Sequence, residues 1–281
     1  MGAVLSPAVS GATPIDASQC GSINVEIGGI SVRLVTKDPG FCYMIEQRYA
    51  GFLNSLAQPD YEFALHIAPP PAEAPEEDAR VFRNGRVWHF ERGDFRAEWD
   101  ARTRQGWVRQ SPNPYSIDTV LRIAHSLVLA DEGGFLLHAA SAVRNERAFL
   151  FAGISGAGKT TMARLAPPDA TVLTDEISYV RRSGPHYRAY GTPFAGELAR
   201  VGANMSAPLD TLFFLVQGPV NRIEPISQIA AARELLRHTL FFAHDPEMVK
   251  QVFHSAIEFV SRVKVARLIF TPDVRAWELV R

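Results

Sequence analysis

The sequence predicts an α/β protein in which a β-rich, α+β N-terminal region precedes a second, mixed domain. Three observations carry that expectation. Between Gly21 and Gln110 several runs alternate apolar and polar residues around glycine turns. From Arg147 to Leu165 a strand-like run, a glycine-rich loop and a helical stretch follow one another directly. Beyond these, apolar runs of strand length alternate with stretches of helical period as far as Phe270. The expected division is a flexible leader over 1–20, a β-rich domain over 21–112 with a proline-rich loop at 69–78, and a linking helix with the second domain over 113–281.

The elements follow in order. NVEIGGISVRLVT, from Asn24 to Thr36, reads as a hairpin with Gly28-Gly29 as its turn. A helix is expected from about Cys42 to Ala57 and a strand at Tyr61–Ala68, before the acidic, proline-rich Pro69–Asp78, which cannot hold a regular ladder. VFRNGRVWHF predicts a second hairpin turning at Asn84-Gly85, the dipeptide that type I′ turns favour. Trp88, Trp99, Trp107, Phe82, Phe90 and Phe95 are interleaved with arginines there. Such alternation suits a single-stranded nucleic-acid platform, but it is also the period of any half-buried antiparallel sheet, the preferred reading here.

Asn113-Pro114 supplies an N-cap and a first-turn proline for a helix whose apolar stripe is Ile117, Val120, Leu121, Ala124, Leu127 and Val128. It ends at Asp131-Glu132-Gly133-Gly134, near which the chain divides. FLLHAASAV and RAFLFAG, joined by Arg144-Asn145-Glu146, read as a hairpin, and Leu209–Gly218 as a core strand. A helix over Ile226–Phe242 should bury Ile229, Ala232, Leu236 and Leu240. The last helix opens at Asp245-Pro246 with Val249, Val252, Phe253, Ala256, Ile257 and Val260 inward, and Val263–Phe270 is the closing strand.

Composition narrows the function. The 281 residues carry 29 Lys+Arg against 30 Asp+Glu, a net charge of -1, so the electrostatic case for nucleic-acid binding is missing. Two cysteines, Cys20 and Cys42, are too few for a disulfide framework or a four-thiolate metal site, which suggests a reducing compartment. No run reaches the ~18 apolar residues of a membrane span, and the first Arg is Arg33, so a basic signal region is missing. Gly2 and Ser6 fit a myristoylation pattern, but a plain leader is the simpler reading. These readings together point to a cytoplasmic protein with no membrane or nucleic-acid partner.

The chemistry lies in one segment. Gly153, Ile154, Ser155, Gly156, Ala157, Gly158, Lys159 and Thr160, followed by Thr161, satisfy G-x-x-x-x-G-K-[ST] between a strand and a helix, the context that this phosphate-binding motif requires. Glycines let successive N–H groups point at a phosphate chain, Lys159 would reach the β- and γ-phosphates of ATP, and the Thr160 hydroxyl would ligate Mg2+. In ATVLTDEISYV an apolar strand then delivers Asp175 and Glu176, one carboxylate for Mg2+ and one for polarising a nucleophile.

These residues resemble the C-terminal kinase domain of the HPr kinase/phosphorylase family, and more closely the shorter HPr-kinase-related proteins of bacterial operons. The resemblance runs from about Gly134 to Thr271, and it is carried by the His of FLLHAASAV, by GISGAGKTT, by the TDE strand and by GTPFAGE. It implies a P-loop kinase domain related in fold to ATP-type phosphoenolpyruvate carboxykinase, which transfers phosphate from ATP to a protein serine. By the same resemblance Asp175 would be the general base, Glu176 would help hold the metal, His138 would tune Asp175, and Glu197 would be a second metal-binding glutamate. The arginine loop of the true HPr kinase/phosphorylases has no match here; Arg200, Arg233 and Arg237 are candidates without a motif. The resemblance therefore leaves HPr as substrate and dephosphorylation open.

The function expected is an ATP- and Mg2+-dependent kinase acting on a serine of a protein or peptide, such as a ribosomal peptide precursor. A kinase of a small hydroxylated molecule and a non-catalytic ATP-binding regulatory module are the alternatives. The family commonly forms hexamers, so Phe241, Phe242 and Phe253 are candidates for a homo-oligomer face, with core packing the preferred reading.

Overall fold

The computed structural model describes residues 21–69, 78–198 and 201–281. The leader with Cys20, nearly all of the proline-rich loop, and Arg200 lie outside these. The described chain is α/β, with two large sheets and five α-helices among the described residues.

The first sheet opens with the Gly28-Gly29 hairpin, β1 (Gly21–Ile27) and β2 (Ile30–Thr36), with both turn glycines at positive φ. Then come α1 (Pro39–Arg48), β3 (Leu53–Asn54), β4 (Tyr61–Ile67), β5 (Arg80–Asn84), β6 (Val87–Arg92), β7 (Phe95–Asp100) and β8 (Gln105–Gln110). The strand order is β3-β1-β2-β4-β8-β7-β6-β5. Two expectations need correction. The helix expected over Cys42–Ala57 starts earlier, because the Asp38 carboxylate accepts from the Phe41 N–H and Pro39 opens the first turn. It stops at Arg48, where a 3-10 turn over Ala50–Phe52 leads into β3. The second hairpin turns at Gly85-Arg86 instead of Asn84-Gly85, since Asn84 pairs with Val87. Only the first central residue, Gly85, has positive φ, the pattern of a type II′ turn.

Trp88, Phe90, Phe95 and Trp99 are buried in this sheet, as a half-buried antiparallel surface requires. From this sheet β7 and β8 meet α2 (Pro114–Glu132), capped by the Asn113 side chain, which accepts from Tyr115 and Ser116 N–H groups. All six residues of the expected α2 stripe are buried.

The second sheet comprises β9 (Phe135–Arg144), β10 (Arg147–Ala152), β11 (Ala170–Thr174), β12 (Ile177–Ser183), β13 (His186–Tyr190), β14 (Ser206–Gln217), β15 (Arg222–Pro225) and β16 (Lys264–Phe270). Its path is β10-β9-β12-β13-β14-β16-β15, with β11 on β9. β10 also pairs with β14, so β9, β12, β13, β14 and β10 close a ring. In this sheet β10, β14 and β16 run parallel. The short helix α3 (Lys159–Arg164) follows β10, and α4 (Gln228–His238) and α5 (Pro246–Arg262) connect β15 to β16.

Two cores result. The larger runs from the first sheet through α2 into the second, including Val25, Ile45, Trp99, Leu121, Leu137 and Phe259, so the division near Gly133 separates two sheets that share one core. The smaller lies under α3 and includes Phe151, Met162, Phe213, Phe270 and Trp277. Trp277 donates to the Met162 carbonyl at 3.0 Å and fixes the end of α3.

The last two helices turn differently from expectation. α4 is shorter than Ile226–Phe242 and buries Ala231, Ala232, Leu235 and His238, while Ile229 is 84% exposed. α5 buries Met248, Val252, Ala256, Phe259 and Val260, leaving Val249, Phe253 and Ile257 exposed. Packing of Phe259 edge-on against Phe135 and Tyr187 sets that rotation. Phe253 is thus on the surface, and Phe241 and Phe242 only pack against the margin of the larger core. Among the described residues no helix is long and apolar enough to cross a membrane.

Candidate functional site

A cavity of about 300 Å³ opens where β10, β9, the end of β11 and the loop after β13 converge. The strand–loop–helix order places Ser155, Gly156, Gly158, Lys159, Thr160 and Thr161 along one wall. Asp175 and Glu176 face them from the end of β11, His138 from β9, and Ala195, Gly196 and Glu197 from the loop after β13. Of the residues singled out in the sequence, Gly153, Ile154 and Ala157 stay outside the lining. Gly153 and Ala157 are buried behind the loop, and the Ile154 side chain is 76% exposed.

The loop is built for close approach. Gly156 and Gly158 have φ of +77° and +109°, which L side chains rarely adopt, and a Cβ on Gly158 would stand 2.5 Å from the Phe270 ring. Gln217, at the end of β14, braces the loop by donating to the Gly156 carbonyl at 2.8 Å. Lys159 is buried; its Nζ turns back to donate to the Gly153 carbonyl at 2.9 Å and the Ile154 carbonyl at 3.2 Å. Burial lowers its pKa, against the opposing pull of Glu197 and then Glu176. A desolvated ammonium satisfied only by carbonyls is a ready partner for an anion.

Asp175 is also buried, and its carboxylate is spoken for by backbone. Gly196 N–H donates to one oxygen at 3.0 Å and Leu198 N–H to the other at 2.9 Å. The loop that supplies them passes so close that a Cβ on Gly196 would lie 2.7 Å from Glu176 Cβ and 2.9 Å from Asp175 Oδ2. Its flanks are equally tight, because a Cβ on Gly191 or Gly202 would overlap the Ala203 or Leu173 carbonyl. Gly191-Thr192-Pro193 therefore does more than turn the chain: Thr192 Oγ1 donates to the Ile177 carbonyl at 2.8 Å and docks the loop on β12.

The electrostatics of the cavity are mixed. Glu176 has its pKa raised, first by burial and then by Asp175, with Arg122 the leading opposing charge. His138 has its pKa lowered by burial, then by Lys159 and His238, so the imidazole is held neutral. Glu197 is exposed at the rim. The oxygen donors Thr160, Asp175, Glu176 and Glu197 line one cavity, a hard-cation set in type. Among the described residues no group of three or more His, Cys, Asp and Glu is arranged to hold a metal ion by itself.

Three contributors were missed in the sequence. Arg122 of α2 stacks over Phe194 at 4.8 Å, and its buried Nε has no hydrogen-bond partner. His238, at the end of α4, is buried near His138 and Lys159, with its pKa lowered chiefly by burial. Gln217 is the third. None carries a local motif, since each arrives from an element far along the chain. Arg233 and Arg237, by contrast, are largely exposed on α4, where they face Glu234.

The family described as SynChlorMet cassette protein ScmC matches residues 115–280, more than half of the chain, and the chain belongs to this family. No curated protein matches the sequence.

Proposed function

We propose that this member of the ScmC family is an ATP-dependent kinase of HPr kinase type, which passes the γ-phosphate to a hydroxyl, a serine of a protein or peptide. The observation that carries the reading is convergence. The glycine loop with Lys159 and Thr160 shares one cavity with Asp175, Glu176, His138 and Glu197, which come from three other segments. The parallel placement of β10 beside β14 is in keeping with a P-loop kinase domain, and the neutral overall charge with a polyanion held by backbone and one lysine.

The residues fit the ligands. The open space at Gly156, where a Cβ would meet nothing within 4 Å, leaves the loop's backbone free to face phosphates. Thr160, Glu176 and Glu197 would hold Mg2+, which takes oxygen ligands and would neutralise charge on the β- and γ-phosphates.

The chain's own residues then act in order. Lys159 exchanges two carbonyl oxygens for phosphate oxygens, a charge-assisted contact in a site of low dielectric. Asp175, locked by two backbone N–H groups, cannot swing away, so it orients the acceptor hydroxyl and takes its proton. His138, held neutral, lines the same cavity without adding a second positive charge to compete with Lys159. Positioning and electrostatics account for most of the rate in phosphoryl transfer, which asks little covalent chemistry of the protein.

Nucleotide binding is the first test. Calorimetric titration with ATP and Mg2+ should give saturable, single-site binding that Lys159→Met weakens ~10²-fold or more, in line with loss of one preorganised charge contact. Absence of binding to the folded wild type would overturn the reading. The family's description as a cassette protein directs the search for an acceptor to products of the same cassette.

A further inference from the structure

A second cavity, of about 380 Å³, shares Asp175 with the first as a common wall. Gly196 lines the first cavity and Leu198 the second. The second cavity's remaining described lining is mostly apolar, with Ala163, Val172, Leu198 and Val201, and among the described residues Arg164 is its one charged residue besides Asp175. Arg164 is exposed and makes no ion pair with the described residues. Ala163 and Arg164 stand three and four residues beyond Thr160 on α3, so they continue the Thr160 face of the helix by one turn. The two cavities thus meet at Asp175, and α3 runs along both, with Thr160 on the first and Ala163 and Arg164 on the second.

We infer that this second cavity is the acceptor subsite, taking a peptide whose serine is accompanied by an aliphatic side chain, for the apolar lining, and by a carboxylate, for Arg164. The inference rests on the kinase reading given above and specifies its substrate. A small polyol would need several polar partners to fix it, and this lining offers it few. A peptide side chain needs an apolar wall and one orienting charge, as found here. In the step served, the serine oxygen bonds to the γ-phosphorus as the bond from that phosphorus to the β-bridging oxygen breaks. The electron pair leaves on ADP, and the hydroxyl proton goes to Asp175.

The test uses the full-length protein, a library of serine-centred decapeptides and labelled ATP with Mg2+. Wild type should label peptides with Leu, Ile or Val at one position near the serine and Asp or Glu at another. Arg164→Glu should exchange the acidic preference for Lys or Arg. Val201→Trp, which fills the cavity from its exposed edge, should raise KM for the preferred peptide at least tenfold. A fluorescein-labelled copy of that peptide, mixed with protein and no nucleotide, should bind wild type and lose at least tenfold in affinity for Val201→Trp. Both variants should keep wild-type affinity for a fluorescent ATP analogue, which also reports their folding. If wild type binds the nucleotide but labels no peptide, or if Arg164→Glu leaves the charge preference unchanged, the acceptor assignment is wrong and the nucleotide site stands. If wild type binds no nucleotide, the kinase reading itself has failed.

Discussion

Acid should loosen the joint between the two sheets at His125. This residue of α2 is buried, with Nδ1 3.0 Å from the Tyr179 hydroxyl on β12 and with Nε2 unpartnered. Burial, aided by the charge of Arg181, holds its pKa down at about 3. In an unfolded chain the same imidazole titrates near ~6.5. Between those values the unfolded state binds a proton that the folded state refuses, so the stability is complete above the unfolded pKa and falls as pH drops toward the folded one. Linkage gives a loss of about 2 kcal/mol between pH 7 and pH 5, and about 3 kcal/mol by pH 4. Urea unfolding of wild type and His125→Gln at these pH values isolates the contribution, because glutamine does not titrate and the other groups are common to both. Wild type should lose about 2 kcal/mol more than the variant by pH 5. Parallel pH profiles for the two proteins would refute the reasoning.

Further outcomes follow from other contacts. Gly28→Ala puts a Cβ 2.1 Å from Tyr179 Cε1 at a φ of +64°, and should lower thermal stability by about 1–3 kcal/mol, read by calorimetry. Asp118→Ala removes the carboxylate that accepts from both Arg48 and the buried Tyr49 hydroxyl, and should cost about 3–5 kcal/mol in urea unfolding. Arg122→Met takes away the leading charge that opposes the raised pKa of Glu176. The acid limb of Mg2+-dependent nucleotide binding should then move to higher pH, and an unmoved limb counts against a link between the two groups.

Much of this arrangement was legible in the sequence where the signal is local. Asn113-Pro114 caps and starts α2, and the alternation around Gly28-Gly29 sets a hairpin in register from Ile27 with Ile30 to Gly21 with Thr36. The loop from Gly153 to Thr160 is read from eight consecutive residues. Helix rotation was less legible, because α5 is apolar around more of its circumference than it buries, and only packing chooses Phe259 over Phe253. Local pattern also misplaced the second hairpin's turn by one residue, since Asn84-Gly85 and Gly85-Arg86 both offer glycine the positive φ. The wider cavity was least legible. Arg122 and His238 act by charge on Glu176 and His138 from α2 and α4, Gln217 braces the loop from β14, and no spacing in the sequence announces these pairings.

Phosphate transfer itself is the most direct measurement. The protein is incubated with γ-labelled ATP, Mg2+ and a library of serine-containing peptides, beside Asp175→Asn. The account predicts label on a serine with wild type and a loss of at least ~10²-fold with Asp175→Asn, while ATP binding is retained in both. Wild type that binds ATP yet neither transfers nor hydrolyses it, or Asp175→Asn that labels at the wild-type rate, would contradict it.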